Sequence, residues 1–165
     1  MEDQELSEQV AAIEPLMLRV AWLEQRRFAQ DLSDFGLTVP QFFVLRSILL
    51  RGQQRTMGAL ADDTLQCSAT MTGIVDRLAR MGLVSRERDA RDRRRVLVEL
   101  TPAGRKVLGK VRRSRERRLR ETLAHLPAQD ARELLRLLKL YLEAFKRHYE
   151  EADEESMPEA STAAE

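Results

Sequence analysis

Two clusters of side chains carry the chemistry of this sequence. The first is Ser68, Ala69, Thr70, Thr72 and Gly73, small residues in the early part of a segment where Met71, Ile74, Val75, Leu78 and Met81 recur at the spacing of one helical face. On the other face, side chains this short let a backbone approach base edges, and Ser and Thr hydroxyls pair with several bases, so readout of moderate strength is expected. The second is SRERDARDRRR, between Val84 and Val96, which brings Arg86, Arg91, Asp92, Arg93, Arg94 and Arg95 into one short stretch. Guanidinium groups in such number suit phosphate oxygens and add salt-dependent, sequence-indifferent affinity. Together the clusters suit duplex DNA, a helix for the major groove and a basic finger for the neighbouring minor groove.

The elements that must hold these residues are legible around them. Ser68 is placed to cap the helix, and Gly82, directly after Met81, is the usual left-handed stop. Leu83 and Val84 resume as an extended pair, and Val96 to Leu100 (VLVEL) reads as a strand rich in branched residues. A hairpin follows, its tip kept in water by Arg88, Asp89 and the arginines after them. Upstream, Thr56 caps a short helix with Met57, Leu60, Ala61 and, just beyond it, Leu65 as apolar residues, while Asp62 and Asp63 face solvent. Only Gln66 and Cys67 separate it from the Ser68 helix, a helix-turn-helix spacing.

Further out, Val10, Ile13, Leu16, Met17, Val20, Leu23, Phe28 and Leu32 mark a long helix, predicted to start at Glu14 because Pro15 suits a first turn, the alternative being a short preceding turn kinked at Pro15, with residues 1 to about 9 loose. Thr38 caps a second, largely buried helix with Phe42, Phe43, Leu45, Ile48 and Leu49, which Gly52-Gln53-Gln54 breaks. Thr101-Pro102 starts a helix with Val107, Leu108, Val111, Leu119 and Leu123 on one face and Arg112, Arg113, Arg115, Arg117, Arg118 and Arg120 on the other. A last helix, from about Pro127 to about Tyr149, carries Leu134, Leu137, Leu138, Tyr141, Leu142 and Phe145. The fold class is therefore mostly α with a small β-hairpin wing, a winged helix-turn-helix in the order α-α-(β)-α-α-β-β-α-α. The terminal helices carry more apolar surface than residues 37–101 can cover, so an obligate-type dimer is expected, offering two recognition helices to a pseudo-palindromic site. The expected domains are 1–36 and 102–150 for dimerisation, 37–101 for DNA binding, and an acidic disordered tail at 151–165.

At 165 residues the chain suits one domain with a real core. Its single cysteine excludes an internal disulfide framework, and no apolar run approaches the roughly 20 residues that cross a bilayer. The acidic start, MEDQELSEQ, lacks the pattern of a signal peptide, so a cytoplasmic location and no membrane are expected. The formal charge is +1, but Glu150, Glu151, Asp153, Glu154, Glu155, Glu159 and Glu165 have no basic residue among them; without these seven the remainder carries +8. An enzyme finds no phosphate loop, no metal-ligand cluster and no cysteine or serine with a histidine partner, and no cofactor is called for. His125 and His148 read as surface residues rather than a metal pair. A helical protein-interaction or scaffolding module would explain the amphipathic ends but not the arginine-loaded hairpin.

The element order, with LTVPQFFVL before the reading head, TGIVDRLARMGLVSR through the recognition helix and DARDRRRVLVELTPAG through the wing, resembles the MarR family of bacterial transcriptional regulators over about residues 8 to 149. The resemblance implies a homodimer that represses, or less often activates, a nearby promoter and loses DNA affinity on binding a small molecule or on oxidation. It also implies that Arg94 enters the minor groove while Asp92 holds it; two apart on an extended strand the pair point the same way, the alternative being a structural ion pair. Arg77 is read as a phosphate clamp, as is Arg86, against ordinary surface charge; Ser68 fits capping and base contact equally. Cys67 is read as a buried or half-buried inert thiol, since family members that sense oxidants carry their cysteine in or near the first helix. Trp22 and Arg26, four apart, could stack and pair with an aromatic anion, with Asp76 placed as in urate-responsive members; core packing and a salt bridge are the plainer reading.

Overall fold

The computed structural model describes residues 2–52, 54–90, 92–93 and 95–155. The order is α1 (Glu2–Ser33), α2 (Val39–Arg51), β1 (Gln54–Thr56), α3 (Met57–Thr64), α4 (Ser68–Arg80), β2 (Val84–Arg88), β3 (Val96–Leu100), α5 (Pro102–Leu123) and α6 (Ala128–Glu155). Helices dominate, and the three strands form one antiparallel sheet in the order β1-β3-β2, with Arg86 opposite Val98 and Arg55 opposite the same valine on its other side. This is a winged helix-turn-helix. The wing hairpin is β2 and β3; β1 makes β3 a central strand.

Local chemistry explains the boundaries. The Thr38 N–H donates to Gln41 Oε1 at 2.9 Å, and Thr56 Oγ1 accepts from the Ala59 N–H at 3.2 Å, so α2 and α3 start where orphan amide groups find oxygen. Gly82 takes φ +69, and the N–H groups of Gly82 and Leu83 turn back to the carbonyls of Ala79 and Leu78 at 2.9 and 3.0 Å. Thr101 Oγ1 accepts from the Gly104 N–H at 3.1 Å and donates to the Gly82 carbonyl at 2.7 Å, clamping the start of α5 onto the end of the recognition helix. Gly104 itself permits that clamp, because a Cβ there would lie 2.2 Å from the Leu83 carbonyl oxygen.

The chain divides into two compact units, up to Arg117 and from Arg118 onward. The first holds the core. Leu32 from α1, Val44, Leu45 and Ile48 from α2, Leu60 from α3, Met71, Val75 and Leu78 from α4, Val98 from β3 and Val111 from α5 are all essentially removed from water. Phe28 sets its ring edge-on against Phe42, centroids 5.0 Å apart, and the Arg115 guanidinium lies over the Phe28 ring at 4.9 Å. The second unit is dominated by α6, whose Leu134, Leu137, Leu138, Tyr141, Leu142 and Phe145 are between 40% and 55% exposed in the single chain.

Several sequence expectations need correction. The first helix starts at Glu2, with Pro15 inside it, so neither a start at Glu14 nor a loose N-terminus holds. Glu, Gln and Leu are good helix formers, acids suit a helix start, and one proline removes a single internal hydrogen bond from a long ladder. Phe43 and Leu49 of α2 are exposed rather than buried, and so is Leu65. The last helix continues to Glu155, past Tyr149, through Glu-rich sequence that favours helix even without apolar periodicity. Residues 156–165 of the expected tail lie outside the described residues.

Candidate nucleic-acid interface

The recognition helix turns the two faces of its sequence in the expected directions. Met71, Val75 and Leu78 are buried, while Ser68, Ala69, Thr70, Thr72, Gly73 and Arg77 are exposed. The small residues thus form an open surface along the first half of α4, and Arg77 extends it by a charge one turn on. Thr72 spends its hydroxyl on the Ser68 carbonyl, 3.1 Å away. Ser68 is not the cap: it is the first helical residue, and the cap position belongs to Cys67. Cys67 also departs from expectation because it is exposed, its sulfur 3.1 Å from Thr70 Oγ1. That side-chain hydrogen bond, followed by the backbone N–H of Thr70, holds the thiol below its ordinary pKa range, since free amide hydrogens at a helix start favour a thiolate.

The wing is joined to the recognition helix by charge. Arg86 on β2 donates to the Asp76 carboxylate on α4, so two residues assigned from sequence to different tasks meet as an ion pair. Both side chains are partly exposed, 35% and 46%, and their value lies in direction rather than in stability. At the tip, the Asp89 N–H donates to the Arg95 carbonyl at 3.0 Å and the Arg95 N–H to the Asp92 carbonyl at 2.9 Å. Asp92 therefore stands in a turn before β3 begins at Val96, and the extended-strand premise for its side-chain direction does not hold. Arg91 and Arg94 lie outside the described residues. Arg93 and Arg95 are exposed.

A network not visible in the sequence ties the reading head to its support. The Asp63 carboxylate accepts from Ser47 Oγ on α2 and from the Arg55 guanidinium on β1, the latter at 2.7 Å, with Arg51 at 4.0 Å. The Ser47 hydrogen bond above all holds the Asp63 carboxyl below the usual carboxylate range; burial opposes it, and the Arg55 hydrogen bond and the charges of Arg55 and Arg51 add to the lowering. Asp63 was expected to face solvent; it is instead the shared acceptor of partners 8 and 16 residues away, on β1 and on α2. On α1, Arg26 lies over the Trp22 ring at 5.4 Å, both on the exposed side of the helix, whereas Asp76 is engaged by Arg86. Among the described residues no group of histidines, cysteines and carboxylates could hold a metal ion, and no helix is long and apolar enough to cross a membrane.

This arrangement defines a DNA-reading head, and comparison with known proteins places it. A profile of the MarR family matches residues 35–95. The chain is 31% identical over 114 residues to YsmB of Bacillus subtilis (strain 168), an uncharacterized HTH-type transcriptional regulator, covering 69% of this chain and 77% of that one. Among solved structures, a MarR family protein from Bacillus stearothermophilus superposes with a TM-score of 0.75 at 28% identity, covering 85% of this chain and 97% of the other. A mutant of MepR of S. aureus, bound to an oligodeoxyribonucleotide, shares the fold with a TM-score of 0.66 at 20% identity, over 81% and 97% of the two chains. The chain belongs to the MarR family, and it is a DNA-binding transcription regulator whose relatives are regulators rather than enzymes.

Proposed function

We propose that the chain works as a homodimeric repressor that reads a pseudo-palindromic operator and releases it when a small-molecule effector binds. The observation that carries the reading is the open face of small side chains on α4, joined to the wing by the Asp76–Arg86 pair. The fold is compatible with DNA binding, as the MepR mutant bound to an oligodeoxyribonucleotide illustrates for that protein. Dimer formation is supported by apolar surface that a single chain leaves in water: Leu6, Val10, Ile13, Met17 and Val20 recur at alternating spacings of four and three along α1, each 45% to 59% exposed, and α6 carries its own row. A two-fold dimer sets the two recognition helices over half-sites roughly 34 Å apart or a multiple of that. Ser68, Ala69, Thr70, Thr72 and Gly73 face bases, Arg77 a phosphate, and the wing arginines, Arg91 and Arg94 among them, the minor groove and backbone. Trp22 and Arg26, which already stack on each other with the guanidinium 5.4 Å from the ring centroid, are the residues that would meet an effector of the aromatic-anion class.

Selecting bound fragments from the source genome, then titrating salt against the selected duplex, tests the reading: affinity falls steeply with salt and a two-fold sequence emerges. Retention of random and selected fragments alike at every salt concentration would refute it. Within that assay Arg94→Ala is expected to lose about tenfold or more in affinity for the selected duplex, by the ~1–3 kcal/mol of a good groove contact, while sedimenting as a dimer. Unchanged affinity in the variant removes Arg94 from the interface.

A further inference from the structure

Leu65 carries a side chain that the single chain leaves in water. It closes α3 in the left-handed conformation, φ +53 and ψ +40, and is the one non-glycine residue with positive φ among the described residues. Its N–H donates to the Asp62 carbonyl at 3.3 Å and the Gln66 N–H reaches back to Ala61 at 3.0 Å, the pair of bonds that makes a Schellman turn, a position glycine ordinarily fills. A side chain with a Cβ is strained there by its own carbonyl. The leucine is nevertheless 94% exposed, so no core contact offsets the strain. The turn hydrogen bonds fix its backbone and leave the isobutyl group in solvent on the connection between α3 and α4, two residues before the exposed run Cys67, Ser68, Ala69 and Thr70.

We propose that Leu65 is a specificity-determining contact, its isobutyl group meeting the C5-methyl of a thymine at the edge of the major groove, next to the bases that α4 reads. The proposal rests on the DNA-reading function above and adds to it a base preference that the hydroxyls of α4 do not supply. The thymine methyl is the apolar group that the major groove offers, and pairing the two removes from water a leucine that the free chain leaves there.

The test uses the full chain and a duplex selected by the wild-type protein from genomic fragments. Leu65→Asn keeps a residue that tolerates the left-handed conformation, and Leu65→Gly removes the side chain; thermal melts at or above the wild-type midpoint show that both variants fold. Both are expected to lose about five- to tenfold in affinity for the selected duplex, the worth of one buried methyl contact, and to bind random duplex as the wild type does. Replacing thymines by deoxyuridine one at a time should reveal a position that costs the wild type the same factor and the variants nothing. Undiminished affinity in the variants, an equal loss on random duplex, or the absence of a coupled thymine overturns the proposal. So does altered self-association in sedimentation, which assigns the leucine to a protein interface. If the wild type selects no duplex at all, the DNA-reading function fails and this contact with it; if the wild type selects one and the variants match it, the leucine alone is misassigned.

Discussion

Asp63 shows how much of the reading head depends on one carboxylate. It receives Ser47 from α2 and Arg55 from β1, so three elements share a single acceptor, and Arg55 Nε is buried without a partner of its own. Asp63→Asn removes the charge that satisfies this cluster and is expected to cost about 1–2 kcal/mol in chemical denaturation, the range for hydrogen bonds to a charged group discounted for solvent access. Because the folded carboxyl titrates below its unfolded value of about 4, its contribution is present above that pH and is lost as the pH falls through the lower folded value. The wild type should therefore lose stability on acidification below about pH 4 by an amount that the asparagine variant does not. Parallel pH profiles of the two proteins would refute the assignment. Nothing in the sequence around Asp63 signals this role, since an acid on a short helix is ordinarily a solvated one. Leu65 was equally opaque: left-handed turns announce themselves through glycine or asparagine, and a leucine beside an amphipathic helix reads as core.

At the scale of elements, the start of α5 is clamped onto the turn that joins the recognition helix to the wing. Gly82 supplies the reversal, Thr101 the double hydrogen bond, and Gly104 the clearance. Gly104→Ala places a methyl 2.2 Å from the Leu83 carbonyl oxygen, which backbone alone can relieve. It is expected to destabilise by about 2–3 kcal/mol, measured by denaturant titration, and to weaken DNA binding in the fraction that folds. A variant of wild-type stability and affinity would mean that α5 shifts freely on the reading head. These elements were legible because their boundaries are marked by residues with one physical use: a glycine after the last apolar position, and a threonine before a proline. The start of α1 was not, because proline's tolerance in a first turn says nothing about its cost deeper inside a long helix. The partnership of Asp76 with Arg86 was also hidden, each residue being plausible alone and their meeting depending on how a strand crosses a helix.

For the whole molecule the governing quantity is where charge sits. The seven acids from Glu150 to Glu165 offset a body that otherwise carries +8, so the near-neutral total conceals a basic protein with an acidic end. Deleting residues 151–165 removes six of those seven and is expected to leave the thermal midpoint unchanged while tightening binding to random duplex several-fold at low salt, an advantage that shrinks as salt rises. Loss of folding in the truncated chain would contradict the expected independence of the tail, and equal affinity would show that its charge does not compete with phosphate.

The exposure of Cys67 has a practical consequence. It is the sole thiol of the chain, it sits on the surface at the threshold of α4, and its ionisation is favoured. A maleimide dye should therefore attach at a single, known place on the chain, where quenching by an arriving oligonucleotide would turn DNA engagement into an optical signal without engineering a residue.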